Sequence, residues 1–243
     1  MSDDSAVENA AFIEAETAWF QRVLERRFEE HAGKAVPADL PALLPPPPLP
    51  AEGLPPYAST VAELGLDDGE RLLLILAFLP HFRPQALDPF FLENRPVGRR
   101  FTEFGGLAGS SHGGFLPTGE TAMFLLAGGD AAARLRSREL FRPEHRLFSE
   151  GILELDHRHP EEPPLSAVLR LSPETLEGVV SGRPYEPPPS SEFPAQRLTT
   201  ALEWEDLVLS PPSRKAVDEI HAWIRHEAKL MGEWHLDRRL KPG

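Results

Sequence analysis

Two clusters of proline limit how much of this chain can join one core. Pro45-Pro46-Pro47-Pro48 with Pro55-Pro56 forms the first, and Pro187-Pro188-Pro189 the second. Proline fixes φ and lacks a backbone N–H, so such stretches stay extended and solvated rather than entering helices or ladders. With 27 prolines in 243 residues, the ordered part must be smaller than the length suggests. Compact pieces joined by linkers are expected. The divisions fall at a first helix within 1–33, a Pro-rich linker 34–56, an α+β domain 57–182, a Pro/Ser linker 183–197 and a mostly helical stretch 198–243. Fully extended, the run from Val36 to Pro56 would span roughly 60 Å at about 3.1 Å per residue. It resembles the ligands of proline-binding domains, but a plain spacer separating the first helix from the rest is the simpler expectation.

Residues from about Ser5 to Ala32 read as one amphipathic helix. Phe12, Trp19, Phe20, Val23, Leu24 and Phe28 recur at helical spacing, while Glu14, Glu16, Arg22 and Glu25 are read as lying outside the stripe. Gly33 is the expected stop. Such a helix could pack on its own domain, on a copy of itself, or on a dedicated partner through residues such as Trp19 and Phe20.

Between Tyr57 and Gly182 the punctuation predicts three helices and a hairpin. Asp67-Asp68-Gly69-Glu70 opens an apolar helix over 72–82, ended by Pro80 and Pro84. Thr118 caps a second helix through Leu126, and Asp130 caps a third through Phe141. Residues 151–156 and 167–171 read as strands joined by a polar turn, His157 to Pro164. Ser172-Pro173-Glu174 then starts a short helix closed by Gly182. Three helices followed by a β-hairpin is the order of a winged-helix domain.

Charge and residue usage narrow the function. The net charge of −13 disfavours unspecific attraction to nucleic-acid backbone or anionic lipid. The chain has no cysteine, which excludes disulfides and thiolate zinc sites. The acidic start Met1-Ser2-Asp3-Asp4 lacks the features of a signal peptide, and the longest apolar run, 72–79, is far short of the roughly 20 residues that cross a bilayer. A soluble, cytoplasmic protein without membrane contact is expected.

Several constellations invite a chemical reading. Gly109-Ser110-Ser111-His112-Gly113 matches the G-x-S-x-G pattern, which would make Ser111 a hydrolase nucleophile. The preceding Gly105-Gly106 and the following Gly113-Gly114-Phe115-Leu116-Pro117 deny it the strand and helix an elbow needs, so a mobile glycine loop is expected. His157 and His159, with Glu154 and Asp156, could offer metal ligands but fall in a Pro-crowded turn that reads as solvated. His221 and His226 are five apart and so leave one helical face. Arg95, Arg99 and Arg100, and then Arg134, Arg136, Arg138 and Arg142, form a basic island in an acidic chain. A winged helix could offer it to phosphates, and the plainer reading is a face balanced by neighbouring acids or a protein interface.

The run 113–128, GGFLPTGETAMFLLAG, is long and unusual. Together with Phe148-Ser149-Glu150-Gly151-Ile152-Leu153, the stretch 165–172 and Trp204-Glu205-Asp206-Leu207-Val208-Leu209, it resembles the N-terminal region of bacterial AAA+ ATPases that carry a winged-helix domain. Some members of that group are encoded beside contractile injection systems. The stretch 202–209, the Ser210-Pro211-Pro212 helix start and the closing Leu240-Lys241-Pro242-Gly243 look like the lead-in to a AAA+ module, and the sequence ends before any G-x-x-x-x-G-K-[ST] phosphate loop. None of the four lysines, Lys34, Lys215, Lys229 and Lys241, follows a glycine-rich stretch.

The resemblance implies a regulatory or adaptor region, either excised or naturally short, whose own work is protein binding or assembly. ATP and Mg, and a hexamer, are implied only for the full-length family. No cofactor is expected in this chain and no ATP turnover. By the same resemblance the backbone groups of Asp206, Leu207 and Val208 would lie on the adenine side of a nucleotide pocket. The competing readings are nucleic-acid binding through the winged helix and its arginines, and serine hydrolysis by Ser111.

Overall fold

Side-chain caps set where the helices start. In the computed structural model, which describes residues 3–35, 44–109, 111–157, 161–187, 208–229 and 231, Asp67 accepts the Glu70 N–H while the Glu70 carboxylate accepts the Asp67 N–H. This reciprocal closure opens a helix over Asp68–Phe82. Thr118 and Thr121 close in the same way ahead of Gly119–Ala127. Asp130 caps Ala131–Ser137. Ser172 caps Pro173–Ser181, which ends on Gly182 with a left-handed φ of 65°.

The helices are α1 (Asp3–His31), α2 (Pro56–Glu63), α3 (Asp68–Phe82), α4 (Gly119–Ala127), α5 (Ala131–Ser137), α6 (Arg146–Ser149), α7 (Pro173–Ser181) and α8 (Pro211–Ala228). The strands are β1 (Glu93–Asn94), β2 (Arg99–Arg100), β3 (Leu107–Ala108), β4 (Phe115–Leu116), β5 (Leu153–Asp156) and β6 (Val168–Leu171), paired consecutively as three two-stranded antiparallel ladders. The protein is thus of mixed helix and strand, as the α+β expectation has it. It divides into two units, Met1–Glu186 and Pro187–Gly243.

In the first unit α3 is the central helix. Residues 70–79 are all buried, as befits a helix that is apolar on nearly every side. It ends at Phe82, where it was expected to, and carries Pro80 in its last turn, where the missing N–H removes a single helical bond. Pro84 then begins a 3-10 stretch, Pro84–Phe91.

α1 packs on its own domain, against α2, α3 and α4. Trp19, Phe20 and Val23 are fully buried, and Phe28 joins Phe90, Phe104 and Phe124 at centroid separations of 5.9, 5.1 and 5.9 Å. Trp19 and Phe20 are therefore covered within the first unit. Glu16, assigned to the outer face from sequence, is also fully buried. It lies four residues after Phe12 and three before Trp19, so it belongs to the inner stripe. Asn9 fastens the two ends of the unit together. Its amide donates to the carbonyls of Val179 at 2.9 Å and Val180 at 3.2 Å, and its oxygen accepts the Tyr57 N–H at 2.9 Å.

The described part of the Pro-rich segment does not span solvent as a spacer. Leu44 and Pro47 carbonyls accept hydrogen bonds from Trp19 and Arg71, which ties residues 44–50 to α1 and α3.

β5 and β6 form the longest ladder, with Leu153 opposite Leu171 and Leu155 opposite Leu169, and the outward pair Glu154 opposite Arg170. The Leu169 N–H reaches Pro117 O at 2.9 Å, placing the run before α4 beside this hairpin. The glycine-rich stretch is organised as the β3–β4 hairpin, closed by the Gly109 N–H on Gly114 O at 3.0 Å.

In the second unit Ser210 caps α8, with Pro211 and Pro212 in its first turn. Ile220, Trp223 and Ile224 are exposed along it. Among the described residues no helix is long and apolar enough to cross a membrane.

Candidate functional site

The arginines that sequence places in one basic island divide by what holds them. Arg134 is engaged, since its guanidinium pairs with Glu120 and reaches the Gly128 carbonyl at 3.3 Å. Arg142 pairs with Glu139 at 2.7 Å, an exposed contact worth at most about 1 kcal/mol. Arg136 and Arg138 are exposed and make no ion pair among the described residues. Arg95 and Arg99 are exposed at the β1–β2 turn, while Arg100 is half-buried with its guanidinium 5.6 Å from the Phe91 ring. Acids interleave with the cations, so the island is not a continuous positive stripe.

Arg138 and Arg142 nevertheless share a groove of about 480 Å³ whose apolar wall is Phe141, Phe148, Leu155 and Leu165. The two rings lie 6.2 Å apart. Local structure explains the grouping. The 3-10 turn Arg138–Phe141 follows α5 directly and turns Phe141 inward, while β5 brings Leu155 to the same wall. Glu139 lines the same rim and pairs with Arg142, so Arg138 is the cation there without an ion pair among the described residues, opposite a wall of aromatic and aliphatic carbon.

A second groove, about 350 Å³, is lined by Arg99, Arg100, Thr118, Glu120, Glu162 and Ser166. A cavity of about 200 Å³ adjoins it through Leu107, Glu162 and Ser166 and also reaches Asp156 and His157. Asp156 and Glu154 face Arg170 at 3.4 and 3.9 Å across the hairpin. His157 is described, whereas His159 lies outside the described residues. Among those described, no three His, Asp or Glu side chains are disposed to hold a metal.

Ser111 is exposed in the turn of the β3–β4 hairpin, with no helix starting on it. A nucleophile elbow needs the serine between a buried strand and a helix. His221 and His226 are both exposed on α8. Of the residues placed near adenine by resemblance, Asp206 and Leu207 lie outside the described residues. Val208 is 96% exposed.

Sequence reasoning missed the buried charges. Glu16 and Arg71 form an ion pair inside the first unit, and Arg71 also reaches Pro47 O at 2.9 Å. Burial pushes the Glu16 carboxyl above its ordinary range, against the pull of the Arg71 charge and hydrogen bond. Glu70 meets Arg146 through the guanidinium Nε at 2.7 Å, and Arg146 continues to the Gly65 carbonyl at 3.0 Å. There burial also raises the carboxyl, but Arg146, the Asp67 N–H and the His145 charge together outweigh it and leave Glu70 below its ordinary value. Arg27, fully buried on α1, was missed as well. Charged residues at positions 16 and 27, in phase with Phe12, Trp19, Phe20 and Val23, were the available signal.

No family model, curated protein or solved structure matches this chain.

Proposed function

We propose that this chain is a regulatory or adaptor N-terminal region of a AAA+ ATPase, of the type associated with contractile injection systems, and that its own work is protein binding. The order α3, α4, α5 and then the β5–β6 hairpin supports a winged-helix-like arrangement for residues 57–182. In this reading ATP hydrolysis, Mg binding and hexamer formation belong to a AAA+ module that α8 leads into. The observation that carries the binding role is the groove joining Arg138 and Arg142 to Phe141, Phe148, Leu155 and Leu165. Its chemistry fits a protein segment with apolar and a few acidic side chains better than a phosphate backbone, because Phe141, Phe148, Leu155 and Leu165 offer an apolar wall that a phosphate backbone would not use.

The test compares two probes on the full chain by fluorescence anisotropy: a labelled decapeptide alternating Glu with Leu and Trp, and a labelled DNA duplex over a salt series. The peptide is expected to bind and to weaken about tenfold when Arg138→Glu and Arg142→Glu are combined. The duplex is expected not to bind at physiological salt. Submicromolar duplex binding that falls steeply with salt and disappears when Arg134, Arg136 and Arg138 are changed to Ala would replace the adaptor reading with nucleic-acid recognition.

A further inference from the structure

The sequence dictates the shape of residues 44–50 before any packing does. In Leu44-Pro45-Pro46-Pro47-Pro48-Leu49-Pro50 every proline holds φ near −65°, and the residue before each proline is barred from the helical region. Through Pro45, Pro46 and Pro47, where both constraints act on the same residue, the conformation that satisfies them is polyproline II, with three residues per turn. Carbonyls three apart then point the same way, about 9 Å from one another along the axis. None of the prolines carries an N–H, so over residues 45–48 this strap can only accept hydrogen bonds.

The surface beneath it supplies two donors at that interval. The Trp19 indole N–H donates to the Leu44 carbonyl at 3.1 Å, and Arg71 donates to the Pro47 carbonyl at 2.9 Å. The two donors are themselves joined, since the Arg71 guanidinium sits 5.9 Å from the centroid of the Trp19 ring and is held from its other side by Glu16. The exposure of the strap partly follows the same repeat: Leu44, Pro47 and Pro50 are half-buried and Pro45 and Pro48 exposed, while in the third phase Pro46 is half-buried and Leu49 exposed. An aromatic N–H and a second donor spaced to read successive turns of a polyproline II ligand form a recognition device for proline-rich peptide.

We propose that the Trp19–Arg71 face of α1 and α3 is a polyproline II binding site, held closed in cis by the chain's own strap at residues 44–50. A proline-rich segment of another chain binds the same two donors when the strap is released. The site is independent of the Arg138–Arg142 groove. Because the strap is tethered, it competes at an effective concentration on the order of millimolar, so trans binding to the resting chain is weak.

The probe is the synthetic heptapeptide Leu-Pro-Pro-Pro-Pro-Leu-Pro, and the reporter is the Trp19 indole N–H in nitrogen-labelled full chain. Among the four tryptophans its resonance is identified by its disappearance in Trp19→Phe. Combining Pro45→Gly, Pro46→Ser, Pro47→Gly and Pro48→Ser keeps the tether but removes the conformational bias. Solvent exchange of the indole N–H is expected to quicken at least tenfold in this variant, and the heptapeptide is expected to restore protection saturably. A Gly/Ser peptide of equal length is expected to do nothing, and adding Trp19→Phe should weaken heptapeptide binding about tenfold, as measured by anisotropy of a labelled copy. Unchanged exchange in the variant, or equal action by the two peptides, overturns the proposal. If far-ultraviolet circular dichroism shows the fourfold variant unfolded, Pro47→Gly takes its place with the same two outcomes.

Discussion

Arg27 closes the end of a helix to which it does not belong. From α1 its Nε donates to the Leu125 carbonyl and its Nη2 to the Leu126 carbonyl, each at 2.8 Å, at the C-terminal turn of α4. The last carbonyls of a helix have no intrahelical donor and carry the negative end of its dipole, so a buried guanidinium satisfies both needs. Glu30, one turn on, pairs with Arg27 at 2.8 Å and accepts the Gly129 N–H at 3.1 Å.

Arg27→Met should therefore destabilise the first unit by roughly 2–3 kcal/mol, because it leaves two buried carbonyls without donors while keeping the side chain's length. Urea unfolding followed by circular dichroism measures this. A loss below about 1 kcal/mol would show that water takes over both carbonyls.

Glu70 links stability to acid. Although burial raises it, Arg146 and the Asp67 N–H hold its folded-state carboxyl below the ordinary glutamate value, so its contribution is complete above that ordinary value and is lost as pH falls through the folded one. Stability measured from pH 7 down to about pH 2 should show this acid limb, and Glu70→Gln should flatten part of it. Arg146→Met should act in the same direction, since Arg146 is the principal group opposing burial. A limb identical in all three proteins would assign the acid sensitivity elsewhere.

Gly106→Ala should be severely destabilising. Gly106 has φ +73°, and a Cβ there would fall 1.9 Å from Cζ of Phe115, whose ring stacks on Phe90 at 4.9 Å. Strain and overpacking together predict a loss of about 3 kcal/mol or more, visible as a fall in Tm. Gly113→Ala, with a similar φ of +72° but open space around it, should cost only about 1–2 kcal/mol. Equal losses would mean that the Phe115 contact contributes nothing.

Ser111→Ala should leave any esterase background unchanged, because the hydroxyl sits on an exposed hairpin turn rather than between strand and helix. Labelling of Ser111 by a fluorophosphonate probe would contradict this.

What the sequence made legible was local. Asp67, Thr118, Asp130 and Ser172 each announce a helix through a side chain that reaches only three residues ahead, and the alternation over 151–156 and 167–171 is long enough to declare a hairpin. The ladders 93–94 with 99–100 and 107–108 with 115–116 are two residues each, too short for a period to show. The partners of Leu44 and Pro47 come from α1 and α3, so nothing within the proline run reveals that it lies against them. Glu16 was placed on the wrong face because charge was allowed to outweigh phase, although Arg71 neutralises it from 55 residues away. The Arg138–Arg142 groove required the 3-10 turn that directs Phe141 inward, which no local signal marks.

The bonds from Asn9 to Val179 and Val180 also order events during synthesis. At roughly 5–20 residues per second the ribosome needs on the order of 10–30 s to supply the 170 residues that separate Asn9 from Val179. The helices against which α1 packs are complete by Ala127, well before Val179 is made. α1 can therefore dock first through its apolar face, and the Asn9 amide waits for α7 to add the bonds that secure its N-terminal end.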